Sequence, residues 1–498
     1  MENSHQKSVV HYDGNSPFVG RVAMLFLDHA ERFKSNLLLA LLALLVWMPL
    51  PIGNEFPWSI AISEIWLFSL LGLCLLHMNA SHHALPAAIK AAWPVFLLLG
   101  LYLLWLLLQT VQLPMAWIEQ ISPHAFALHL MADPAAEYAS ISIAPYATEQ
   151  KVLEAAFLAG LFFLLIYLVD SRTKVRWLIY TVLIAALAEV LYGTMMVLSG
   201  IEYSFFIAKS DLLSHIGSAT GTFHSRNSLA AYLEIALALG IGYMVSLLAK
   251  ERTTGSWRHK SRQWIEVILG PKMRLRLLLI LLCLGLVMTH SRGGNIAFFA
   301  SLGVAGVLFL LFARKKPRAT VIFLSSLIIL DIVLIGSWVG LSKVMTRLEQ
   351  TSIQTELRDD VYRASIPVMQ DYLFTGAGAG SFSQLMSGYK SDDLRGVGKE
   401  ISYAFNDSIQ IIVETGIVGF ILLSGVVVYC FFIAIQRLRR DRSSLNHGLA
   451  FASLMGVTAI VIHSMVDYPM QMLATSSMFM VLLALPMICS NLKSSSKR

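Results

Sequence analysis

Four arginines near the ends of apolar segments could bind an anionic substrate; they are Arg226, Arg292, Arg358 and Arg363. Arginine carries a permanent charge and a planar fork of N–H donors that matches the paired oxygens of an anionic group. Two structural alternatives remain open. An arginine at a helix end, such as Arg292, often extends to lipid headgroups. Arg358 could instead pair with Glu356 or with the adjacent Asp359 and Asp360.

Histidine, amide, tyrosine and acidic side chains accompany these arginines. Such side chains could move a proton or orient a hydroxyl group of a substrate. They are His224, Asn227, His290, Tyr403, Asn406 and Asp407. Glu234 lies inside an apolar segment, where a carboxylate is costly unless it is paired or faces a wet cavity. It could therefore line an acceptor cavity, pair with a basic group or form a hydrogen bond between helices. Asp331 has a similar apolar setting, and the sequence indicates no role for it.

Long apolar segments surround these residues and determine the class of protein. Hydrophobic residues make up 56% of the 498-residue chain and charged residues only 14%, whereas about a quarter of residues in soluble domains are charged. The apolar residues occur in runs of about 20, the length that crosses a hydrocarbon core of roughly 30 Å as a helix. The sequence therefore predicts an all-α, polytopic transmembrane bundle of roughly 12 helices.

The basic residues predict how this bundle is oriented. Lysine and arginine near a span resist translocation and so mark the cytoplasmic side. They collect in alternate connections and the tail, at 172–176, 250–276, 314–318, 437–442 and 493–498. Both chain ends are thus predicted to be cytoplasmic, with a segment 1–35, a membrane domain 36–490 and a tail 491–498. The formal charge of +7 is explained by topology, and we expect no nucleic-acid partner.

Three long connections are predicted on the opposite, external side: 114–151, 200–226 and 342–407. The last lies between spans 9 and 10, is mixed in charge and contains glycines, and we expect it to be largely helical. Because loops on a rigid scaffold often carry function, we expect chemistry there. A solvated cap without catalytic role is the alternative.

No cofactor is expected. Cys74, Cys283, Cys430 and Cys489 fall within or at the end of apolar segments, without the spacing of metal ligands. The sequence contains no Walker loop, dinucleotide fingerprint, HExxH or GxSxG motif. It therefore gives no support for an ATP-driven pump, a nicotinamide enzyme or a metalloprotease.

A series of motifs resembles the O-antigen ligase and polymerase family of bacterial inner-membrane glycosyltransferases. The more specific ones are Ser-Arg-Gly-Gly at 291–294, the Arg358 segment before Gly-x-Gly-x-Gly-x-Phe at 376–382, Asn-Asp-x-x-Gln at 406–410 and Glu-x-Gly-x-x-Gly at 414–419. Segments 121–123 and 140–148 are similar to the family's first external loop. The motifs share the family's order and lie at the predicted external side.

The resemblance implies that glycan is transferred from an undecaprenyl diphosphate carrier at the periplasmic face of the inner membrane. The acceptor would be a second carrier-linked glycan in polymerisation, or lipid A core or another anchor in ligation. The lipid bilayer would be one partner of the protein, and a chain-length regulator or a flippase would be another. The implied catalytic residues are Arg292, Arg358, Arg363, Asp407 and His290. The implied substrate-binding residues are Arg226, His224, Asn227, Asn406, Tyr403 and Glu234.

The sequence departs from the family at Phe405. Members commonly have histidine immediately before the Asn-Asp pair, where it is treated as catalytic, whereas phenylalanine cannot accept or donate a proton. Another group could supply that role, and the candidates are His224, His290, His463 and Asp407. Activity could also be altered or lost.

A transporter or channel is the alternative from a different class of function. It would use acids within the spans to carry protons or ions, with the long loop as a lid. A carrier needs its ionisable residues near the midplane at broken helices. This sequence concentrates its motifs at external helix ends and in the long loop, which favours the enzyme.

Overall fold

The computed structural model of the chain describes residues 17–81, 86–201, 203–205, 207–208, 216–248, 270–326, 329, 353–390 and 401–492. Almost all of this part of the chain is helical, which confirms the predicted all-α class. Asp331, most of the predicted ninth span at 319–341, parts of the long loop 342–407 and most of the tail lie outside the described residues.

The helices follow one another as α1 (Pro17–Trp47), α2 (Pro57–Ser81), α3 (Ala87–Ala91), α4 (Trp93–Thr110), α5 (Met115–Ile121), α6 (Pro123–Ala132), α7 (Pro145–Leu168), α8 (Arg172–Ser199), α9 (Arg226–Leu248), α10 (Pro271–Met288), α11 (Arg292–Phe312), α12 (Ile353–Asp371), α13 (Phe382–Tyr389), α14 (Asp407–Arg440), α15 (Ser444–His463) and α16 (Leu473–Ile488). Residues 318–326 are also helical. Proline stands in the first turn of α4, α6, α7 and α10, where its fixed φ suits a helix and its missing N–H would have no helical partner.

In the described part of the chain, four short strands form two antiparallel pairs between the helices. Strand β1 (Leu113–Pro114) pairs with β2 (Tyr138–Ala139), with Leu113 opposite Ala139. Strand β3 (Tyr203–Ser204) pairs with β4 (Ile207–Ala208), with Tyr203 opposite Ala208. Each pair closes a connection between two helices.

Eight of the described helices are long and apolar enough to cross a membrane: α2, α4, α7, α8, α9, α11, α14 and α15. Helix α16 is apolar but shorter, at 16 residues. Helix α10 has the length of a span but carries Lys272, Arg274 and Arg276 near its start. The chain is therefore a multi-pass membrane protein, and the predicted count of roughly 12 spans is not confirmed.

Helices α9 and α15 lie at the centre of the bundle. Their most apolar stretches are 94% and 83% buried, against 22% for α4 and α14. Gly242 of α9 lies directly against Gly448 of α15, and a β-carbon on either would overlap the backbone carbonyl of the other. Small residues allow helix backbones to approach closely in a membrane. This close crossing makes the two central helices one rigid unit.

The two ends of the bundle differ in character. We call one of them the polar end. Helices α9, α11, α14 and α16 begin there, and α10 and α15 end there. The connections that join these helices lie side by side at this end. The opposite end, which we call the basic end, contains Lys174 beside Asp170, Arg314 joined by its N–H to the Leu438 carbonyl, and Arg437 on Ser490. All four arginines that the sequence singled out lie at the polar end or on α12 beyond it.

The described part of the long loop is attached to a break in α14. Gly416 has φ 67° and interrupts the helix there. The exposed backbone groups around it pair with the glycine run: Ala377 N–H donates to Val413, Gly378 N–H to Glu414, and Ile417 N–H to Leu373. Gln109 of α4 adds bonds to the Thr375 and Glu414 carbonyls at 2.8 and 3.0 Å. The two glycine motifs of the sequence thus bind each other.

We predict that Gly416→Ala destabilises this attachment. Gly416 has ψ −177° together with its positive φ, a region that is essentially restricted to glycine and costs another residue about 1–3 kcal/mol. The added methyl group would also overlap the carbonyl of Phe374. Thermal unfolding in detergent should show a lower transition temperature than the wild type. Gly303→Ala is the matched control, because a β-carbon at Gly303 meets nothing within 4 Å. Equal stability of the two variants would contradict the structural role of the break.

Candidate functional site

Arg358 lies at the centre of the polar end and is held on two sides. Its Nη2 lies 3.3 Å from Oδ2 of Asp467, and its Cζ lies 4.9 Å above the ring of Phe405. The side chain remains 40% exposed, so part of its N–H fork is open to a ligand. The acid that the structure pairs with Arg358 is Asp467, which is distant in the sequence.

Asp467 is a buried carboxylate that joins three segments. Its side chain is 8% exposed and accepts hydrogen bonds from Asn227 Nδ2 at the start of α9 and from its neighbour's backbone, Tyr468 N–H, at 2.9 Å. With Arg358 as a third donor, the charge is compensated on both oxygens. Asn227, predicted to bind substrate, contacts this carboxylate and thereby positions Arg358.

Aromatic rings form a continuous stack beside Arg358. Phe405 has φ 52°, an uncommon conformation for a bulky residue, and its ring meets Tyr468 edge-on at 5.4 Å. Tyr468 in turn stacks on Tyr403 with ring centroids 4.2 Å apart and planes within 13°. We call Tyr403, Phe405 and Tyr468 the aromatic stack. Tyr403, predicted to bind substrate, thus reaches Arg358 only through the other two rings in the described contacts.

Asn406 and Asp407 hold the start of α14. Asn406 caps the helix by accepting the Ile409 N–H at 3.1 Å and donates to the Met465 carbonyl. Asp407 is buried and accepts from Ser464 Oγ at 2.7 Å, Met470 N–H at 3.1 Å and Gln471 Nε2 at 3.3 Å. These bonds use both carboxylate oxygens of Asp407. The geometry favours a structural role for both residues.

Glu234 pairs with a histidine from the neighbouring central helix. Its Oε1 lies 2.8 Å from Nδ1 of His463, and both side chains are at most 1% exposed. The second oxygen, Oε2, has no hydrogen-bond partner among the described residues. Of the roles that the sequence left open for Glu234, pairing with a basic group is the one observed.

The Ser-Arg-Gly-Gly turn at 291–294 begins α11 and packs tightly on the central helices. Ser291 caps the helix by accepting the Gly294 N–H at 3.2 Å. A β-carbon at Gly294 would lie 2.6 Å from Ala230, and one at Gly293 would lie 3.0 Å from Val466. The glycines thus serve helix packing here, and they leave the Arg292 side chain exposed at the polar end.

Ser218 links His290 and Arg226. Its Oγ lies 3.4 Å from Nδ1 of His290 and 3.5 Å from Nη1 of Arg226. His290 has φ 52°, which turns the chain sharply between α10 and α11. The connection that carries Ser218 is itself anchored, because Thr222 donates to buried Glu189 through its N–H at 2.7 Å and to the Pro49 carbonyl through its Oγ1.

The side chains of Arg363 and His224 are both exposed, but they lie at different places relative to the aromatic stack. Arg363 follows Arg358 by five residues on α12, which rotates it by about 140° around the helix axis, so the two arginines do not share a face. His224 interacts electrostatically with Glu55 in the turn between α1 and α2. The described contacts thus join Arg226 and His290 through Ser218, and Asn227 and Arg358 through Asp467. His224 lies beside Glu55, and Arg363 lies on another face of α12 than Arg358.

Glu55 is a site residue that sequence reasoning missed. It is half-buried, and the Tyr403 hydroxyl donates a hydrogen bond to its carboxylate. Burial raises the pKa of Glu55, while His224 and the Tyr403 hydrogen bond partly oppose that rise. Asp467 and Tyr468 follow the candidate residue His463 closely in the sequence, but the sequence analysis predicted no role for them. Glu55 lay in a short turn with no motif to mark it.

We predict that Asp407 stabilises the fold more than Arg358 does. Asp407→Ala leaves several buried donors without an acceptor, at about 1–3 kcal/mol for each unsatisfied group. Arg358→Ala removes a partly exposed side chain and leaves Asp467 with the Asn227 and Tyr468 donors, so its unfolding temperature should fall less than that of Asp407→Ala. Thermal unfolding of the purified protein checks both. A larger loss of stability from Arg358→Ala than from Asp407→Ala would reverse the assignment.

Comparison with known proteins gives one family match. A family model described as O-antigen ligase matches residues 277–424. The matched stretch contains the Ser-Arg-Gly-Gly turn, Arg358, the glycine run, the aromatic residues at 403 and 405 and the break in α14. Asn227, Asp467 and Glu55 lie outside it, although they contact residues inside it. No curated protein matches the chain.

Proposed function

We propose that this membrane protein transfers glycan from an undecaprenyl diphosphate carrier to an acceptor hydroxyl. The match of residues 277–424 to a family model described as O-antigen ligase supports this proposal. The observation that carries the proposal is the anchored, half-open guanidinium of Arg358. Asp467 and Phe405 fix its orientation, and its remaining N–H groups are available for the diphosphate. A pre-positioned charge of this kind stabilises a leaving group without further reorganisation.

Helix N-termini add to the positive potential around Arg358. Helices α9, α11 and α14 all begin at the polar end, at Arg226, Arg292 and Asp407. The start of a helix carries a partial positive charge and favours anions. Arg226 and Arg292 add full charges at two of these helix starts. A diphosphate at the polar end would therefore be attracted by several independent groups.

The distribution of basic residues supports a periplasmic site. The described basic connections at 172–176, 314–318 and 437–442 lie at the end of the bundle opposite Arg358. By the positive-inside rule that end faces the cytoplasm. We therefore place the polar end in the periplasm and the protein in the inner membrane, with a carrier-linked donor entering from the outer leaflet.

In the proposed reaction, an acceptor hydroxyl oxygen forms a bond to the anomeric carbon of the donor glycan. The bond from that carbon to the diphosphate breaks, and the diphosphate leaves with the electron pair. Arg358 and Arg292 compensate the charge that develops on it. The acceptor is a second carrier-linked glycan in polymerisation, or lipid A core in ligation.

The buried acids do not favour the transporter alternative. Glu234 is paired with His463, and Glu189 holds the backbone and hydroxyl of Thr222. Both carboxylates thus join elements of the polar end. A proton or ion carrier would instead need acids at broken helices near the midplane.

We predict that Arg292→Ala and Arg358→Ala proteins insert normally but lose transfer activity. Removing one charged stabiliser of a transition state typically lowers the rate by about 100-fold or more. Activity is measured with purified protein, a synthetic polyprenyl diphosphate-linked glycan and an acceptor glycan. Arg318→Ala, at an exposed position of the basic end, is the matched control and should keep full activity. Wild-type rates in both site variants would remove these arginines from the mechanism.

Cells without the gene should show altered surface polysaccharide on a gel. Glycan of one repeat unit would identify the chain as a polymerase. Loss of glycan linked to lipid A, with carrier-linked polymer retained, would identify it as a ligase. An unchanged pattern of surface glycan would contradict the proposed function.

A further inference from the structure

The turn between α1 and α2 has a strained backbone beside the proposed site. Ile52, Gly53 and Asn54 are consecutive and all have positive φ, at 56°, 68° and 61°. The left-handed region is an outlier for a β-branched residue such as Ile52. Strained conformations persist only when the surrounding structure fixes them, and they concentrate at functional sites. Glu55 is the next residue in the chain.

Contacts from three other segments hold this turn. Asn54 is buried and donates to Ser63 Oγ of α2 at 2.7 Å. The Gly53 carbonyl accepts from Ala474 N–H of α16 at 3.2 Å. A β-carbon at Gly53 would lie 2.7 Å from the Phe223 ring. Packing against these three segments thus maintains the strained backbone of the turn. The turn itself holds Glu55 in a fixed position.

Glu55 and Arg358 lie on the same aromatic stack. Tyr403 donates its hydroxyl hydrogen to the Glu55 carboxylate and stacks on Tyr468. Tyr468 interacts electrostatically with both Glu55 and Arg358. The carboxylate and the guanidinium thus lie at the two ends of the aromatic stack, Glu55 beside Tyr403 and Arg358 beside Phe405.

Three other described acids of the polar end are buried and have partners. Asp407 accepts bonds on both oxygens, Asp467 binds Asn227 and Arg358, and Glu234 is fully buried against His463. Glu55 is the acid among these that is half-buried and receives its described hydrogen bond from a tyrosine hydroxyl at the stack. Such a carboxylate has free acceptor capacity for a substrate proton.

We infer that Glu55 is the catalytic base for the acceptor hydroxyl, an inference that rests on the proposed function. The acceptor O–H bond breaks and its proton moves to the Glu55 carboxylate as the oxygen bonds to the anomeric carbon. The diphosphate leaves with the electron pair of the broken glycosidic bond, and the proton on Glu55 then passes to water. Phe405 is consistent with this role for Glu55, because its own side chain cannot take a proton.

The surroundings of Glu55 give the reaction a defined pH dependence. Among the described residues, the titratable groups that interact with it are His224, Tyr403 and Tyr468. The base must be ionised, so the transfer rate falls as pH falls through the pKa of Glu55, which burial raises above its usual value. The Tyr403 hydrogen bond favours the charged form, so Tyr403→Phe should move this acid limb to higher pH.

The test uses the full-length protein in lipid nanodiscs with a synthetic polyprenyl diphosphate-linked glycan. Glu55→Gln should lower transfer to a hydroxyl acceptor by about 100-fold or more, the usual contribution of a general base. Glu149→Gln, an exposed acid at the start of α7, is the matched control and should behave like the wild type. Glu55→Ala should transfer glycan to azide at a rate near that of the wild type with azide, because azide attacks without losing a proton.

The outcomes separate the inference from the proposed function. A wild-type protein that transfers no glycan would overturn both. A wild-type protein that transfers glycan, with Glu55→Gln unchanged in rate and pH profile, would overturn the role of Glu55 alone. Loss of azide transfer in Glu55→Ala would also overturn it, because that result indicates a structural contribution. Azide transfer retained together with the shifted acid limb in Tyr403→Phe would establish the base.

Discussion

The polar end depends on one buried carboxylate. Asp467 follows the central helix α15, and its Oδ2 accepts hydrogen bonds from both Asn227 of α9 and Arg358 of the long loop. A buried charge without such partners would be strongly destabilising, so its donors must assemble together. The consequence is that the loop arginine takes its position from the core of the bundle. The aromatic stack, the cap of α14 and the turn at α11 are then arranged around this fixed point.

Much of the architecture could be predicted because membrane helices are encoded locally. Apolar runs predicted the eight long helices that the described residues contain, although not the total number of spans. The alternation of basic connections predicted that Arg226, Arg292 and Arg358 lie on one side. The glycine motifs were recognised, but their mutual attachment at Gly416 could not be foreseen, since backbone pairing of this kind leaves no side-chain pattern. The glycines beside Arg292 could equally have left room for a ligand, whereas Ala230 and Val466 fill that space.

The contacts that could not be predicted join residues far apart in the chain. Arg358 and Asp467 are separated by 109 residues, and Asn227 and Asp467 by 240. Acids adjacent to Arg358 were the obvious partners from spacing alone, but packing brought a more distant one. Glu55 was missed for a related reason: its environment is created by a strained turn and by Tyr403, which lie in separate parts of the sequence. Chemistry at this site is therefore a property of the tertiary structure.

The unequal numbers of basic residues at the two ends limit how the site can be built. During insertion, each arginine on the translocated side of a membrane works against the orientation that the protein needs. If the polar end faces outward, its arginines are tolerated because the larger basic set at 172–176, 314–318 and 437–442 outweighs them. The starts of α9, α11 and α14 offer positive potential that adds no basic side chain to this balance. The fold can thus attract a highly charged lipid while keeping its own arginines few. Arginine is the residue type that catalysis requires at this end and that membrane insertion disfavours there.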